Sequence, residues 1–261
     1  MNQITSTDNQ LIKKVTSLHE KKYREESGLF IIEGYKSVCE ALKSKLKIQN
    51  IFVSEDIDKD LSLFPDELLF AVPEKIMKKI STTTTPTEVL AVAHQPKFAL
   101  KDFFKDKNPL IVLLENIKDP GNLGTIIRTA KACSVSGIIL AGDCVDIYNT
   151  KTVRASSGSA WRVPTVKIAD EKMIKSAINK EKTCTFYATS VKKNNTVSFF
   201  KADFKKPSVI MFGSEADGLS DALLSQADKI ITIPMNNEVE SLNLSISTGV
   251  ILYEAVRQRE C

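Results

Sequence analysis

Polar and charged side chains in three separate loops are the ones whose types and spacing could perform chemistry. The first loop follows the apolar run Leu110–Leu114 and contains Asp119-Pro120-Gly121-Asn122-Leu123-Gly124, with Arg128 one helical turn further on. Helical side chains lean towards the helix N-terminus, so Arg128 is expected to project back over the loop that carries Asn122. A guanidinium in that position can bind an anion or stabilise an oxygen that develops negative charge. The alternative is an ordinary surface arginine beside a Pro-Gly turn.

The second and third loops also follow apolar runs. Gly213-Ser214-Glu215-Ala216-Asp217-Gly218 comes after Val209–Phe212, and Ile233-Pro234-Met235 leads to Ser241-Leu242-Asn243. Taken alone, the second loop could be a plain strand–turn–helix corner, and Ser241 could simply cap the next helix. The chain has neither a G-x-G-x-x-G dinucleotide fingerprint nor a G-x-x-x-x-G-K-[ST] phosphate loop. Any chemistry therefore depends on carboxylate, amide, hydroxyl and guanidinium groups.

The elements that flank these loops must position them. Beyond residue 109, apolar runs alternate with helical stretches, which predicts an α/β domain with a mainly parallel sheet covered on both faces. In such sheets ligands bind beyond the carboxyl ends of the strands, where all three loops begin. The last helix is apolar on two faces, which predicts deep burial or packing against another subunit. The predicted strands are Leu110–Leu114, Gly137–Ala141, Val163–Ile168, Thr185–Ala188, Val209–Phe212 and Ile230–Ile233.

The N-terminal part of the chain reads as a small α/β unit of its own. Helical stripes at Asn9–His19, Tyr35–Leu46 and Glu74–Ile80 alternate with short strand-like runs, the last of which is Val89–Ala93. The following stretch has no sustained apolar period, and we place the linker there. The predicted organisation is an accessory domain at 1–95, a linker at 96–108 and a main domain at 109–261.

Composition limits the classes of function. The net charge of +4 is too mild to indicate a nucleic-acid partner by itself, and ordinary solvated lysine faces are the favoured explanation on charge alone. The two histidines, His19 and His94, are far apart, and the five cysteines form no C-x-x-C pair. These patterns argue against a histidine triad, a disulfide framework and a metal site. Because no apolar stretch resembles a signal peptide or a membrane span, we expect a cytoplasmic protein with neither a membrane nor a metal partner.

Together the three loops resemble the signature motifs of the SpoU-type RNA ribose 2′-O-methyltransferases, a branch of the SPOUT superfamily. Ala216 and Ser247 depart from the glycine and alanine that the family often has. The stretch from Lys21 to Gly34 is similar to the family's accessory RNA-binding domain, which has a ribosomal-protein-like α/β fold. The resemblance implies a deep trefoil knot in the C-terminal part and a homodimer that pairs through the knotted region.

The resemblance also implies the cofactor, the substrate and their contacts. S-adenosyl-L-methionine is the expected cofactor and RNA the expected substrate, with ribosomal RNA favoured over transfer RNA. A catalytically inactive RNA-binding protein with the same knot is the alternative. The cofactor contacts are expected at Gly213, Ile233, Met235 and Leu242. The expected RNA contacts are Lys13, Lys14, Lys21, Lys22 and Arg24.

The implied catalytic set leaves one role open. Family proposals make the arginine of the first motif, here Arg128, the base that takes the ribose proton. A guanidinium keeps its proton at any ordinary pH, so we expect Arg128 to stabilise the incipient alkoxide instead. The full catalytic set comprises Asn122, Arg128, Glu215, Ser241 and Asn243.

Overall fold

The computed structural model describes residues 2–191 and 196–260 of the chain. The chain packs as two units, one made of the chain up to Pro96 together with Asp146–Arg162, and one made of Lys97–Val145 together with the chain from Val163 onward. The elements in chain order are β1 (Asn2–Gln3), α1 (Gln10–Ser17), α2 (Lys21–Ser27), β2 (Leu29–Glu33), α3 (Tyr35–Lys43), β3 (Ile48–Ser54), β4 (Leu69–Val72), α4 (Glu74–Ile80), β5 (Val89–His94), β6 (Leu110–Glu115), α5 (Pro120–Ala132), β7 (Gly137–Ala141), α6 (Thr150–Ala155), β8 (Thr165–Ile168), α7 (Ile174–Glu181), β9 (Thr185–Thr189), β10 (Val197–Ser198), β11 (Ser208–Phe212), α8 (Asp221–Leu224), β12 (Lys229–Thr232) and α9 (Leu244–Glu260).

The first unit is a mixed sheet with a core on each face. Its strand order is β1-β4-β3-β5-β2, with β5 antiparallel to both β2 and β3. Side chains alternate along a strand, so Phe30 and Ile32 of β2 join one core while Ile31 joins the other. The helices predicted in this part are confirmed, because their apolar stripes are what cover the two faces of the sheet.

The segment Asp146–Arg162 packs into the first unit, although it lies within the 109–261 stretch that the sequence analysis treated as one domain. Tyr148 and Trp161 are buried, with ring centroids 4.6 and 6.2 Å from the ring of Phe30. Arg24 is also buried, and its Nε donates to a carboxylate oxygen of Asp146 at 2.7 Å. These contacts join residues more than a hundred positions apart, and local apolar periodicity carries no information about them.

The second unit is built on a parallel sheet. Among its described residues, the strand order is β10-β12-β9-β11-β6-β7-β8, and every pairing is parallel. Strands such as Leu110–Glu115 and Ser208–Phe212 are buried along their whole length, as strands covered on both faces must be. The six predicted strands are confirmed with shifts of one or two residues. Val197–Ser198 was missed because a two-residue strand shows no period.

The predicted linker contributes to the core of the second unit. A short 3-10 helix spans Leu100–Phe104, and the Phe103 ring within it is fully buried. A Cβ atom on Gly137 would lie 2.3 Å from that ring, so the glycine leaves the space that Phe103 fills. A single buried anchor in one short turn produces no sequence period, which is why the stretch looked unstructured.

Candidate active site

Three strands of the second unit end at the same edge of the sheet, and each is followed by one of the three loops. β6 ends at Glu115, β11 at Phe212 and β12 at Thr232. β11 pairs with β6 on one side and with β9 on the other, and β12 pairs with β9. Because all these strands are parallel, their carboxyl ends bring the loops to one edge, which is where open α/β sheets bind ligands.

Asn122 is placed by the start of α5. The carboxylate of Asp119 caps this helix by accepting from the backbone N–H of Asn122 at 2.7 Å, and Pro120 occupies the first helical turn, where no backbone donor is needed. Gly124 is fully buried one turn into the helix. The Asp-Pro-Gly-Asn sequence is therefore a helix start, and it fixes the side chain of Asn122 at the edge of the sheet.

Glu215 lies at the tip of a tight loop. Ser214 and Gly218 exchange two backbone hydrogen bonds of 3.2 and 3.0 Å, which close the loop around Glu215. A Cβ atom on Gly213 would lie 1.9 Å from the carbonyl carbon of Gly218, and Gly218 itself has a φ of 72°. Both glycines are required for this turn, the first by close approach of backbone and the second by its left-handed conformation.

The structure brings Asn122, Glu215 and Asn243 together in one hydrogen-bonded cluster. The Oε1 atom of Glu215 accepts from Nδ2 of Asn122 at 2.8 Å, from Nδ2 of Asn243 at 3.1 Å and from the backbone N–H of Leu244 at 3.4 Å. Nδ2 of Asn243 also donates to Oδ1 of Asn122 at 3.1 Å. A carboxylate that accepts several N–H groups makes stronger bonds than a neutral acceptor, so Glu215 joins the three loops electrostatically.

Asn243 has a second task at the start of α9. Its Oδ1 atom accepts from the backbone N–H groups of Ser245 and Ile246 at 2.9 and 3.3 Å and from the Ser245 hydroxyl at 2.6 Å. Asn243 is thus the residue that caps the helix, and the alternative that Ser241 does so is wrong. Ser241 is exposed and lines the neighbouring cavity.

Arg128 is exposed on α5, one turn beyond Gly124. No hydrogen bond or ion pair within residues 2–191 and 196–260 involves its side chain. The structure therefore does not bring Arg128 into the cluster of Asn122, Glu215 and Asn243. Its five N–H donors remain available to an anion from outside the protein.

A cavity of about 300 Å³ lies beside this cluster. All four residues expected to contact the cofactor line it, together with Glu215 and Ser241. The end of β9, from Thr189 to Val191, also lines the cavity and was missed, because nothing in the sequence distinguishes it from any other strand end. The expected contacts are Gly213, Ile233, Met235 and Leu242.

Glu115 is a buried acid that the sequence analysis did not select. It is 1% exposed at the end of β6, and its Oε2 atom accepts from the backbone N–H of Ser220 at 2.7 Å. Burial raises the pKa of the neighbouring Glu171, and the nearby carboxyl of Glu115 raises it further. Through its hydrogen bond to the N–H of Ser220, Glu115 connects the end of β6 to the loop that carries Glu215. The one available signal was a carboxylate that closes a fully apolar run.

The predicted RNA contacts of the first unit divide into two groups. Lys13, Lys14, Lys21 and Lys22 are exposed on α1 and α2, where phosphates can reach them. Arg24 is different, because it is 2% exposed and its guanidinium donates to Asp146 and to the carbonyl oxygens of residues 18 and 19. The prediction that Arg24 contacts phosphate is wrong. In α2 the lysines face solvent and the arginine faces inward, a difference that composition does not show.

In the part of the chain that the structure describes, no group of three or more His, Cys, Asp or Glu side chains could hold a metal ion. No helix there is long and apolar enough to cross a membrane. Both histidines lie in the first unit, and Cys261, one of the five cysteines, lies outside the described residues.

A parallel α/β sheet with a ligand-sized cavity and a polar cluster at its carboxyl edge defines an enzyme that acts with a bound small molecule. Comparison with known proteins makes the class specific. Residues 109–253 match the SpoU rRNA Methylase family, and residues 9–91 match the MRM3-like substrate binding domain. The chain belongs to the SpoU rRNA methylase family.

Similar proteins match nearly the full length of the chain. The 23S rRNA (guanosine(2553)-2′-O)-methyltransferase RlmP of Bacillus subtilis is 30% identical, with 97% of this chain and 98% of that protein covered. The crystal structure of an AdoMet-bound rRNA methyltransferase from Sinorhizobium meliloti has a TM-score of 0.87 at 33% identity and covers 98% of this chain and 97% of its own. The crystal structure of AviRb from Streptomyces viridochromogenes in complex with AdoMet has a TM-score of 0.85 at 26% identity, and the match covers 97% of this chain and 98% of AviRb.

Proposed function

We propose that the protein methylates a ribose 2′-hydroxyl in ribosomal RNA, with S-adenosyl-L-methionine as the methyl donor. The observation that carries the proposal is the cluster of Asn122, Glu215 and Asn243 at the edge of a cavity of about 300 Å³. The names of similar proteins, which include 2′-O-methyltransferases of 23S rRNA, support the reaction and the substrate.

The cavity suits the cofactor in size and in chemistry. Its volume of about 300 Å³ lies at the lower end of the range for small-molecule sites. Backbone groups at the ends of β11 and β12 offer donors and acceptors, while Met235, Leu244 and Ile251 offer apolar surface. Gly213, Ile233, Met235 and Leu242 are the residues that would hold it. When bound, the cofactor supplies a methyl group on a positively charged sulfur, which is reactive without a metal.

The protein's own part in the reaction is alignment and charge stabilisation. The ribose hydroxyl is a weak nucleophile that must lose its proton as it attacks, and at this solvent-exposed edge the proton passes to water. Arg128 binds the phosphate beside the target ribose and stabilises the developing alkoxide, because its donors have no partner among the described residues. Asn122 and Asn243, both held by Glu215, present amide groups of fixed orientation to the ribose, and Ser241 contributes a hydroxyl at the rim of the cavity.

A trefoil knot in the second unit and a homodimer are part of the proposal. The knot is supported by the resemblance of the three loops to the SPOUT motifs, and the hydrogen bond from the N–H of Leu244 to Glu215 brings the chain beyond β12 back to the loop that follows β11. The dimer is supported by Ile246, Val250 and Tyr253, which form an exposed apolar stripe along α9 and are 39 to 57% exposed. An apolar stripe on a helix is ordinarily covered by another surface.

The two units divide the work on this proposal. The first unit binds RNA through the exposed lysines of α1 and α2, and the second unit carries out the transfer. Reduced cysteines, such as the buried Cys133 and Cys184, suit a cytoplasmic location.

The test is methyl transfer by the purified full chain. Ribosomal RNA and transfer RNA from cells that lack the gene are incubated with the protein and labelled S-adenosyl-L-methionine, and 2′-O-methylation is mapped at nucleotide resolution. We expect one new methylated ribose in ribosomal RNA, none with Arg128→Ala, and unchanged cofactor binding by that variant in calorimetry. Methylation of transfer RNA alone would show that transfer RNA, and not ribosomal RNA, is the substrate. The absence of methylation in both RNAs would favour a catalytically inactive RNA-binding protein.

A further inference from the structure

A second cavity, of about 380 Å³, lies in the first unit and is unrelated to the methyl-transfer site. It is bounded by α1, by α2 and by the ends of strands β2, β3 and β5. Its floor is formed by buried apolar side chains, among them Val15, Leu18 and Val92. A concave site with an apolar floor of this size can enclose a flat organic ring.

The wall formed by β3 contains a polar atom without a partner. The Oδ1 atom of Asn50 is buried and accepts no hydrogen bond within the described residues. Asn50 pairs with Val92 across the sheet, whereas Ile48 pairs with Ala93, so Gln49 is an extra residue in a β-bulge. A bulge re-aims side chains, and here both Gln49 and Asn50 line the cavity. A buried acceptor without a partner is unfavourable, and because Asn50 borders the cavity, a turn of its side chain would let an N–H donor on a bound ligand satisfy the Oδ1 atom.

The rim supplies an aromatic ring and positive charge. Tyr23 lines the cavity and is 40% exposed, and the Nζ atom of Lys22 lies 5.9 Å from the centroid of its ring. Lys14 also lines the cavity and forms no ion pair among the described residues. Glu26 is the acid at the rim, and it forms an ion pair of 3.9 Å with Lys22. The rim therefore presents the ammonium group of Lys14, which has no ion-pair partner among the described residues, and the aromatic ring of Tyr23.

We propose that this cavity binds an unpaired nucleobase of the RNA substrate. The ring lies on the apolar floor against Tyr23, and the adjacent phosphate is bound by Lys14. A turn of the Asn50 side chain brings its Oδ1 atom, which is closed to solvent in this structure, to an N–H group of the base. Aromatic stacking and lysine–phosphate contacts are the general means by which proteins hold single-stranded nucleic acid. The inference rests on the proposed function only in assigning the base to the RNA that the enzyme methylates.

The test uses the full chain and short fluorescent RNAs, with binding measured by anisotropy. The probes are hexamers of adenosine and of purine riboside, which lacks the exocyclic amino group. The wild-type protein is expected to bind the adenosine hexamer about tenfold more tightly, because a buried acceptor left unpaired disfavours the analogue. Tyr23→Ala is expected to weaken binding of both hexamers about tenfold through lost stacking. Asn50→Leu is expected to remove the preference for adenosine.

Matched controls separate the cavity from general charge. Lys75 is exposed on α4 outside the cavity, so Lys75→Ala is expected to leave binding and preference unchanged, whereas Lys14→Ala weakens the binding of both hexamers. If Asn50→Leu does not fold, Tyr23→Ala and Lys14→Ala decide the matter. Equal binding by wild type, Tyr23→Ala and Lys14→Ala would overturn the inference.

A second measurement locates the RNA directly. Hexamers that contain 4-thiouridine are crosslinked to the wild-type protein, and the modified peptides are identified by mass spectrometry. We expect crosslinks in the peptides that carry Tyr23 or Asn50, and crosslinks confined to other peptides would contradict the proposal. If the same preparation methylates ribosomal RNA but shows no crosslink in these peptides, the cavity assignment fails alone. If crosslinks form there without methylation, the proposed function fails alone.

Discussion

Replacing Glu215 tests whether the hydrogen-bonded cluster holds the site in its reactive geometry. Glu215→Ala removes the acceptor of two short bonds, at 2.8 Å from Asn122 and 3.1 Å from Asn243. A hydrogen bond to a charged group contributes about 1.5–3 kcal/mol. Because all three side chains lie near the surface, solvent screening holds each bond near the lower figure, and the pair contributes about 3 kcal/mol. At about 1.4 kcal/mol for each tenfold change, kcat/KM should fall about 150-fold.

Glu215→Gln refines the prediction, because the amide keeps an oxygen acceptor but loses the charge. Neutral acceptors contribute about half as much as charged ones, so a loss of about tenfold is expected. Single-turnover methylation of ribosomal RNA measures the chemical step, and calorimetry measures cofactor affinity. Both variants should keep near-wild-type cofactor affinity, because the Oε1 atom of Glu215 is already occupied by protein donors. The exposed Glu181→Gln, at the end of α7, serves as the charge-matched control and should have no effect.

A double-mutant cycle with Asn122→Ala provides the refuting result. If Asn122 and Glu215 act through their mutual hydrogen bond, the double variant should lose little more than Glu215→Ala alone. Losses that simply multiply, with unchanged thermal unfolding, would show that the two side chains act independently. Asn122 and Glu215 would then be close in space without being coupled in catalysis.

The remaining predictions concern stability, reactivity and assembly. The folded-state pKa of Glu171 is raised by burial and by the carboxyl of Glu115, so stability is lost as pH rises through that pKa. Glu171→Gln should therefore gain melting temperature relative to wild type between pH 4.5 and 8, and a difference independent of pH would contradict this. Burial raises the pKa of the Cys133 thiol to about 11. At pH 8, iodoacetamide should therefore label the peptide with the partly exposed Cys39 far faster than the peptide with Cys133. Equal labelling rates for the two peptides would refute the burial of Cys133. Tyr253→Arg should shift the protein from dimer to monomer in sedimentation velocity, and an unchanged dimer would exclude the α9 stripe from the interface.

Sequence predicts best where one local pattern decides the structure. Continuous apolar runs such as Val209–Phe212 are confirmed as buried strands because such residues have no other stable place. The resemblance to known motifs also selected Asn122, Glu215 and Asn243, which the structure brings within hydrogen-bonding distance. Parallel strands that end at one edge provide the physical reason, since they bring loops distant in sequence together.

The failures at individual side chains depend on contacts distant in sequence or on the backbone path. Arg24 has the composition of a surface residue, and only the position of Asp146, far along the chain, makes it a buried ion pair. For Ser241 the sequence left capping open as the alternative to a catalytic role, and the structure decides against capping because the amide of Asn243 lies over the first turn instead. Glu115 was not predicted as a site residue because its role depends on a hydrogen bond from the N–H of Ser220, which belongs to another loop.

The packing of Asp146–Arg162 into the first unit has a consequence for how the chain can be divided. The backbone passes from one unit to the other three times, after Pro96, after Val145 and after Arg162. A cut near residue 96 would strip the first unit of Tyr148 and Trp161 and leave the apolar surface around Phe30 uncovered. The first unit therefore cannot be exchanged by a single cut near residue 96. Any exchange of the accessory part between relatives must carry this inserted segment with it.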